Sequence, residues 1–397
     1  MATLSRRVGV EHVQAAEDAA QAALMSALET WPRSGLPENP SAWLFRVAHN
    51  QLLDQLRQAS GRRRILDEQR AAEPAPVEPP TEAPLAGEVH NDLLRMLFVC
   101  CDEGIAPDSQ LVLALKTLCG FDVREIALRL FTTEANVYKR LGRARERLRQ
   151  LGTLPELGSG SYAPRLTAVR RVLYLLFTEG YLSSHADHAI RDELCGEALR
   201  LTTALVEHPV GQTPESYALL ALMHLHAARR GARQDAAGGL LLLEEQDRAL
   251  WDVEQVQLGL EWLARSASGE VYSRYHAEAA IAAEHCLAPS FDETRWGRIA
   301  ECYELLERVS PSPLHRLNRA VAVAEWQGAA AGLAVIEGFE PPAWLEGSYL
   351  WAAVLADLHR RAGNGEAAER HMSAALELAP TEAVRGLLRR RLGGEQR

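Results

Sequence analysis

The residues best suited to chemistry are polar side chains that repeat along one face of a basic segment near residue 140. Between residues 121 and 150 the chain has eight basic and four acidic side chains, although its formal net charge is −10. Arg and Asn can read base edges through paired hydrogen bonds, and Lys and Arg neutralise phosphates. The segment therefore predicts a DNA-binding surface, whose candidate residues are Thr133, Asn136, Lys139, Arg140, Arg143 and Arg147.

Two helices around a short turn must position this surface. Residues 123–130 predict a supporting helix, residues 131–133 predict the turn, and a second helix follows. An isolated basic helix would usually be a solvated surface helix, but the supporting helix and the turn favour a helix-turn-helix that enters the major groove. The residues expected to be buried are Ile126, Ala127 and Leu130 in the first helix and Val137, Leu141, Ala144 and Leu148 in the second.

Length and composition limit the other classes of protein. A chain of 397 residues with 47% hydrophobic residues is expected to form several globular domains. No apolar run approaches the roughly 18 residues of a membrane span, and the N-terminus lacks the apolar core of a signal peptide. Six scattered cysteines do not make a disulfide framework. We therefore expect a cytoplasmic protein without a membrane segment, cofactor or metal site.

Helical periodicity covers nearly the whole chain, which predicts an all-α fold. Residues 8–31 predict one helix, and Ser41 is expected to cap the next. A proline-rich stretch at residues 71–87 predicts a linker, and a shorter linker is expected at residues 152–161. Residues 313–346 and 347–380 have the small residues and length of tetratricopeptide units.

The second helix and its surroundings also have a family resemblance. The pattern from Glu125-Ile-Ala127 to Arg149 closely resembles region four of extracytoplasmic-function sigma factors, which reads the −35 promoter element. Ala16-Glu-Asp-Ala-Ala-Gln21 and Pro40-Ser-Ala-Trp-Leu-Phe-Arg-Val-Ala-His-Asn50 resemble region two of the same family. Together these motifs cover about residues 8–150 in the family's order.

The resemblance implies two partners, promoter DNA and core RNA polymerase, which the family contacts at its clamp helices and flap. It implies that Glu17, Asp18 and Gln21 face the polymerase. It also implies that one helix meets the melted −10 region by stacking and hydrogen bonding. The residues carried over to that helix are Trp43, Arg46, His49, Asn50 and Arg57.

The remainder of the chain resembles a branch of these sigma factors that has a large C-terminal helical extension with tetratricopeptide-like repeats. The matching runs are Phe98-Val-Cys-Cys101, Leu176-Phe-Thr-Glu-Gly-Tyr181 and residues 238–252. In the last run, the dense charge beside a tryptophan has two interpretations: a helix start with an internal ion pair, or a contact surface between the extension and the sigma core. The residues concerned are Glu245, Asp247, Arg248, Trp251 and Asp252.

Two features depart from the family pattern. Few residues precede the region-two motif, so the first helix of that region is expected to be short or missing. Where the branch has Cys-Cys-His-Pro, this chain has Cys100-Cys-Asp-Glu103. The change weakens a metal or redox role for Cys100 and Cys101, which we interpret as packing residues.

The expected domains are region two at residues 1–67, a linker at 68–90, region four at 91–152 and the extension at 153–397. The predicted function is promoter recognition for RNA polymerase, with regulation in cis by the extension, whose repeats could instead bind a protein partner. One alternative is a DNA-binding regulator that has a tetratricopeptide-like interaction domain and no longer binds polymerase. An enzyme is disfavoured because no nucleophile–base or metal-ligand spacing occurs.

Overall fold

A computed structural model of the chain describes residues 2–66, 86–130, 132–151, 160–181, 190–235 and 239–392. Within these ranges the regular structure is helical and no strand occurs; Gln234 and Leu240 form an isolated antiparallel bridge. The all-α prediction is therefore confirmed. The chain divides into two compact units, which we call unit 1 (Met1–Leu173) and unit 2 (Tyr174–Arg397). Of the linker predicted at residues 71–87, residues 71–85 lie outside the described residues, whereas Ala86 and Gly87 already belong to a helix. Of the shorter linker predicted at residues 152–161, residues 152–159 also lie outside the described residues.

Unit 1 contains the predicted helix-turn-helix and the helices before it. Its α-helices are α1 (Ala2–Val8), α2 (Val13–Ser34), α3 (Pro40–Leu66), α4 (Ala86–Cys100), α5 (Pro107–Thr117), α6 (Val123–Arg129) and α7 (Glu134–Leu151). Helix α8 (Leu166–Tyr181) crosses the boundary between the units.

The described residues of unit 2 form a succession of helices. They are α9 (Asp192–Glu207), α10 (Pro214–Ala227), α11 (Val253–Ser266), α12 (Arg274–Leu287), α13 (Trp296–Val309), α14 (Pro313–Gln327), α15 (Ala329–Ile336), α16 (Ala343–Glu346), α17 (Tyr349–Arg361), α18 (Gly365–Glu377) and α19 (Glu382–Leu392). Short 3-10 turns lie at Arg230–Ala232, Leu243–Glu245 and Arg248–Leu250.

Two helix starts differ from the sequence prediction. The helix expected at residues 8–31 is divided, because Gly9 adopts a φ of +97°, and α2 begins only at Val13. The cap of α3 is Asn39 and not Ser41: the Asn39 Oδ1 atom accepts a hydrogen bond from the backbone N–H of Ala42 at 3.0 Å. Pro40 then occupies the first helical position, where its missing N–H leaves no partner unsatisfied.

The first helices of unit 1 share an alanine-rich core. The small side chains of α2 let α3 approach closely, and Leu52 of α3 fills the contact. Helix α1 contributes Leu4, so a short first helix is present and packs against this core. The buried members of the cluster are Leu4, Ala16, Ala19, Ala23, Ala48 and Leu52.

Both segments predicted to be tetratricopeptide units form helix pairs. Residues 347–380 contain α17 packed against α18, and residues 313–346 contain α14 packed against α15. A Cβ atom at Gly332 would lie 2.7 Å from the Ala320 backbone oxygen, so only glycine permits the close crossing of α14 and α15. This glycine was not singled out in the sequence.

We expect Leu52→Ala to lower the free energy of unfolding of unit 1 by about 2–5 kcal/mol, because a fully buried leucine leaves a cavity between α2 and α3. Denaturant titration followed by circular dichroism measures this. The matched control is Leu28→Ala on α2, whose side chain is 70% exposed and should change stability little. Equal losses for the two variants would contradict the packing described for α3.

Candidate nucleic-acid interface

The helix-turn-helix forms as the sequence predicted. Helix α6 starts with a capping box, in which Asp122 Oδ1 accepts from the Glu125 N–H at 2.6 Å and Glu125 Oε2 accepts from the Asp122 N–H at 2.7 Å. These bonds fix the start of a helix only seven residues long. Ile126 and Ala127 are buried as predicted, whereas Leu130 is only partly buried and Phe131 lies outside the described residues.

Helix α7 buries one stripe and exposes the opposite face. The buried residues are those predicted: Val137, Leu141, Ala144 and Leu148. Spacings of four, three and four residues keep these side chains on one face, so the intervening polar residues must face away from the core.

Polar residues at the start of α7 are held in place by the turn. Thr133 caps the helix, since its Oγ1 atom accepts from the Asn136 N–H at 3.3 Å. The Asn136 side chain donates to Thr132 Oγ1 at 2.8 Å, which fixes its amide beside the helix N-terminus. In helix-turn-helix proteins these first residues of the second helix contact base edges.

The four basic residues of α7 that were predicted to contact DNA fall into two groups. Lys139 and Arg143 are exposed and form no ion pair with any residue that the structure describes. Arg140 and Arg147, predicted for the same surface, form ion pairs with other residues of unit 1. Arg140 Nη2 lies 3.0 Å from Asp108 Oδ2, and Arg147 Nε lies 3.2 Å from Asp102 Oδ1. Lys139 and Arg143 are therefore the two candidate cations directly available to DNA.

Asp102 joins three parts of unit 1. Its buried carboxylate also accepts from Arg165 Nη2 at 2.6 Å and from the Gly104 N–H at 3.0 Å. It thus connects the end of α4, the helix α7 and the 3-10 turn that leads into α8. The neighbouring Cys100 and Cys101 are buried, and burial raises the pKa of Cys100 and brings that of Cys101 to about 12. Both are therefore protonated thiols at neutral pH, in keeping with packing residues.

A further ion pair connects α7 to α2. Arg145 Nη2 lies 2.8 Å from Glu17 Oε2, and both side chains are largely buried, with 18% and 12% exposed. Arg6 of α1 similarly contacts the buried Asp92 of α4 at 2.9 Å. Sequence reasoning missed Arg145, because its partner lies 128 residues away in the chain.

The residues expected to face the polymerase lie on α2. Asp18 and Gln21 are exposed, whereas Glu17 is covered by its contact with Arg145. Three large apolar side chains follow on the same helix and are more than half exposed: Leu24, Met25 and Leu28. An apolar surface beside exposed polar residues is typical of a protein-contact site.

The residues carried over to the −10 region lie on α3, but one of them is buried. Arg46, Asn50 and Arg57 are exposed, and Trp43 is half-buried against Trp31, with ring centroids 5.6 Å apart. These positions share one face by helical spacing. His49 is one residue before Asn50, about 100° around the helix, and is fully buried, stacked on Phe45. Burial and Arg7 lower its pKa.

The predicted contact motif of the extension makes mostly internal contacts within unit 2. Asp252 caps α11, Asp247 caps the turn at Arg248–Leu250, and Glu245 lies 3.8 Å from Arg390 of α19. Arg248 donates to the backbone oxygens of His285 and Ala288, while Trp251 is buried. The segment consists of two 3-10 turns before α11, and not of a single helix start.

No helix within the described ranges is long and apolar enough to cross a membrane.

Comparison with known proteins gives three family matches in the order of the chain. Residues 2–62 match the model of sigma-70 region 2, residues 98–148 match that of sigma-70 region 4, and residues 165–267 match a family of unknown function, DUF6596. An uncharacterised protein of Rhizobium meliloti (strain 1021) is 34% identical over 379 residues, which cover 95% of this chain and 89% of that protein. No solved structure matches the chain.

Neutralising either free cation of α7 should weaken binding to duplex DNA. We expect Lys139→Gln and Arg143→Gln each to reduce the slope of log K against log salt concentration by about one, because each loses one phosphate contact. Fluorescence anisotropy at several salt concentrations measures the slope. Arg308→Gln on α13, where the side chain is 66% exposed, is the matched control and should leave the slope unchanged. An unchanged slope in both α7 variants would exclude this face as the DNA contact.

Proposed function

Because the chain belongs to the sigma-70 family, as an extracytoplasmic-function-like member with a large C-terminal extension, we propose that it directs core RNA polymerase to specific promoters and that its extension regulates this activity in cis. Proteins of this family are transcription initiation factors that bind DNA, and not enzymes. Core polymerase and promoter DNA are accordingly its partners. A polymerase partner would make the site of action cytoplasmic.

One observation carries this proposal: the region-four match contains a helix-turn-helix whose second helix exposes Lys139 and Arg143 and holds the half-buried Asn136 at its start. In the proposed mechanism these residues enter the major groove of the −35 element, where the amide reads a base and the cations contact phosphates. The exposed face of α3 receives the −10 region, through Trp43, Arg46, Asn50 and Arg57. His49 supports that face from inside, because burial leaves it no access to a base.

Polymerase binding would use the exposed face of α2. Asp18, Gln21 and the apolar residues that follow are accessible for a partner helix. Glu17 becomes available only when Arg145 of α7 releases it. In this proposal, binding to polymerase separates α2 from α7 and so couples the two promoter contacts.

Regulation in cis is supported by the contacts of Arg165. This residue begins the DUF6596 match, and its guanidinium shares the Asp102 carboxylate with Arg147 of α7. A movement of the extension that shifts Arg165 would change the charge balance around Asp102. It would therefore change the strength of the contact between Asp102 and Arg147 of α7. The tetratricopeptide-like helix pairs could receive a protein partner that drives such a movement.

We expect transcription in vitro with core polymerase and a promoter library to start at defined sites only when the chain is added. Lys139→Gln/Arg143→Gln should abolish most of these starts, because the −35 contact loses two cations. The Glu17–Arg145 pair favours one alternative, a DNA-binding regulator that does not bind polymerase. Failure of the full-length chain to bind core polymerase, with DNA binding intact, would establish that alternative instead.

Removing residues 182–397 should raise promoter-directed transcription by about fivefold or more, the size of an ordinary regulatory coupling. The truncation is placed after α8. It therefore retains Tyr162 and Arg165, which lie just before α8 and pack on Phe98 and Asp102 in unit 1. Circular dichroism of the truncated chain controls for folding. If transcription by the truncated and full-length chains were the same, regulation in cis would be excluded while promoter recognition would stand.

A further inference from the structure

Three arginines of unit 2 lie close together and have no acidic partner among the described residues. Arg229 follows α10 and is 8% exposed, Arg233 follows the next turn, and Arg248 lies in the turn before α11. None of the three forms an ion pair with a residue that the structure describes. Their neighbour Arg230 shows the ordinary arrangement, since its Nη1 atom lies 3.1 Å from Asp192 Oδ1. Guanidinium groups removed from water without a counter-charge are costly.

Two of these cations lie against the same aromatic ring. The guanidinium carbons of Arg229 and Arg248 lie 5.2 and 4.4 Å from the centroid of the Trp251 ring. Arg248 Nη1 is fixed by the backbone oxygens of His285 at 2.7 Å and Ala288 at 2.8 Å. The cation–π contacts orient the two guanidinium groups but supply no hydrogen-bond acceptor for their N–H groups.

Several donors in this cluster are buried and unused. Arg229 Nε, Arg248 Nη2 and Trp251 Nε1 have no acceptor among the described residues. The Nδ1 atoms of His226 and His285 are also buried and unpartnered. Nearly all buried donors in proteins are satisfied, so a group of unused ones requires an acceptor beyond the residues that the structure describes.

The two histidines add donors without adding charge. Burial and the neighbouring arginines lower the pKa of His226 and of His285 to about 3. Both rings are therefore neutral at physiological pH, and each can turn one N–H towards an acceptor by choice of tautomer. The positive charge of the cluster comes from the three guanidinium groups alone.

We propose that Arg229, Arg248 and Trp251, with Arg233, His226 and His285 around them, form a binding site for the oxyanion group of a small ligand, a phosphate or a carboxylate. Water could satisfy the donors but would leave the charge uncompensated. An oxyanion does both, because its oxygens accept several hydrogen bonds and the planar guanidinium fork matches their geometry. The site belongs to the extension and does not depend on the proposed promoter recognition.

The test is isothermal titration of the full-length chain with inorganic phosphate and, in a separate arm, with malonate, at constant ionic strength set by sodium chloride. Saturable binding of phosphate alone would identify a phosphate ligand, and binding of malonate alone a carboxylate ligand. Binding of both would support the oxyanion site without that distinction. Absence of binding to either at millimolar concentration would overturn the proposal.

Variants locate the binding. Arg248→Lys keeps the charge but loses the fork, and Trp251→Phe keeps the ring but loses its N–H; each should weaken binding about tenfold or more. Circular dichroism checks that both variants fold. If Arg248→Lys does not fold, Trp251→Phe alone provides the test. Arg298→Gln on α13, 67% exposed, is the matched control. Wild-type affinity in both site variants would show that the anion binds elsewhere and would overturn the assignment.

Discussion

The buried carboxylate of Asp102 is the constraint on which the arrangement of helix α7 depends. It accepts from Arg147 of α7, from Arg165 before α8 and from the backbone of Gly104, so three segments meet at one charge. A carboxylate with 6% of its side chain exposed is stable only when such donors surround it.

The cations of α7 are divided by how firmly their internal partners hold them. The Arg140–Asp108 pair involves a carboxylate that is more than half exposed, and such pairs contribute about 0–1 kcal/mol. DNA phosphates can therefore displace it. The Arg145–Glu17 pair is largely buried, so opening it uncovers two charges together and costs more than breaking an exposed pair. The gain from polymerase contact must offset that cost in the proposed mechanism.

Much of this architecture could be predicted from the sequence because it depends on local periodicity. The stripe from Val137 to Leu148 and the capped turn before it follow from spacing alone. The same reasoning, applied strictly to α3, would have separated His49 from Asn50, since adjacent positions face different directions. The partners of Arg145 and Arg147 could not be predicted, because those contacts join residues far apart in the chain.

The extension is acidic in sequence, with nine more acidic than basic residues after residue 150. Arg229, Arg233 and Arg248 nevertheless have no acidic partner among the residues that the structure describes. The net charge of the extension therefore gives no sign of the arginine cluster around Trp251. A ligand at 100 times its dissociation constant stabilises the state that binds it by about 2.7 kcal/mol. That energy lies within the roughly 1–3 kcal/mol of a typical allosteric coupling. Occupancy of the oxyanion site would therefore suffice to shift a regulatory equilibrium of the extension, without any covalent change.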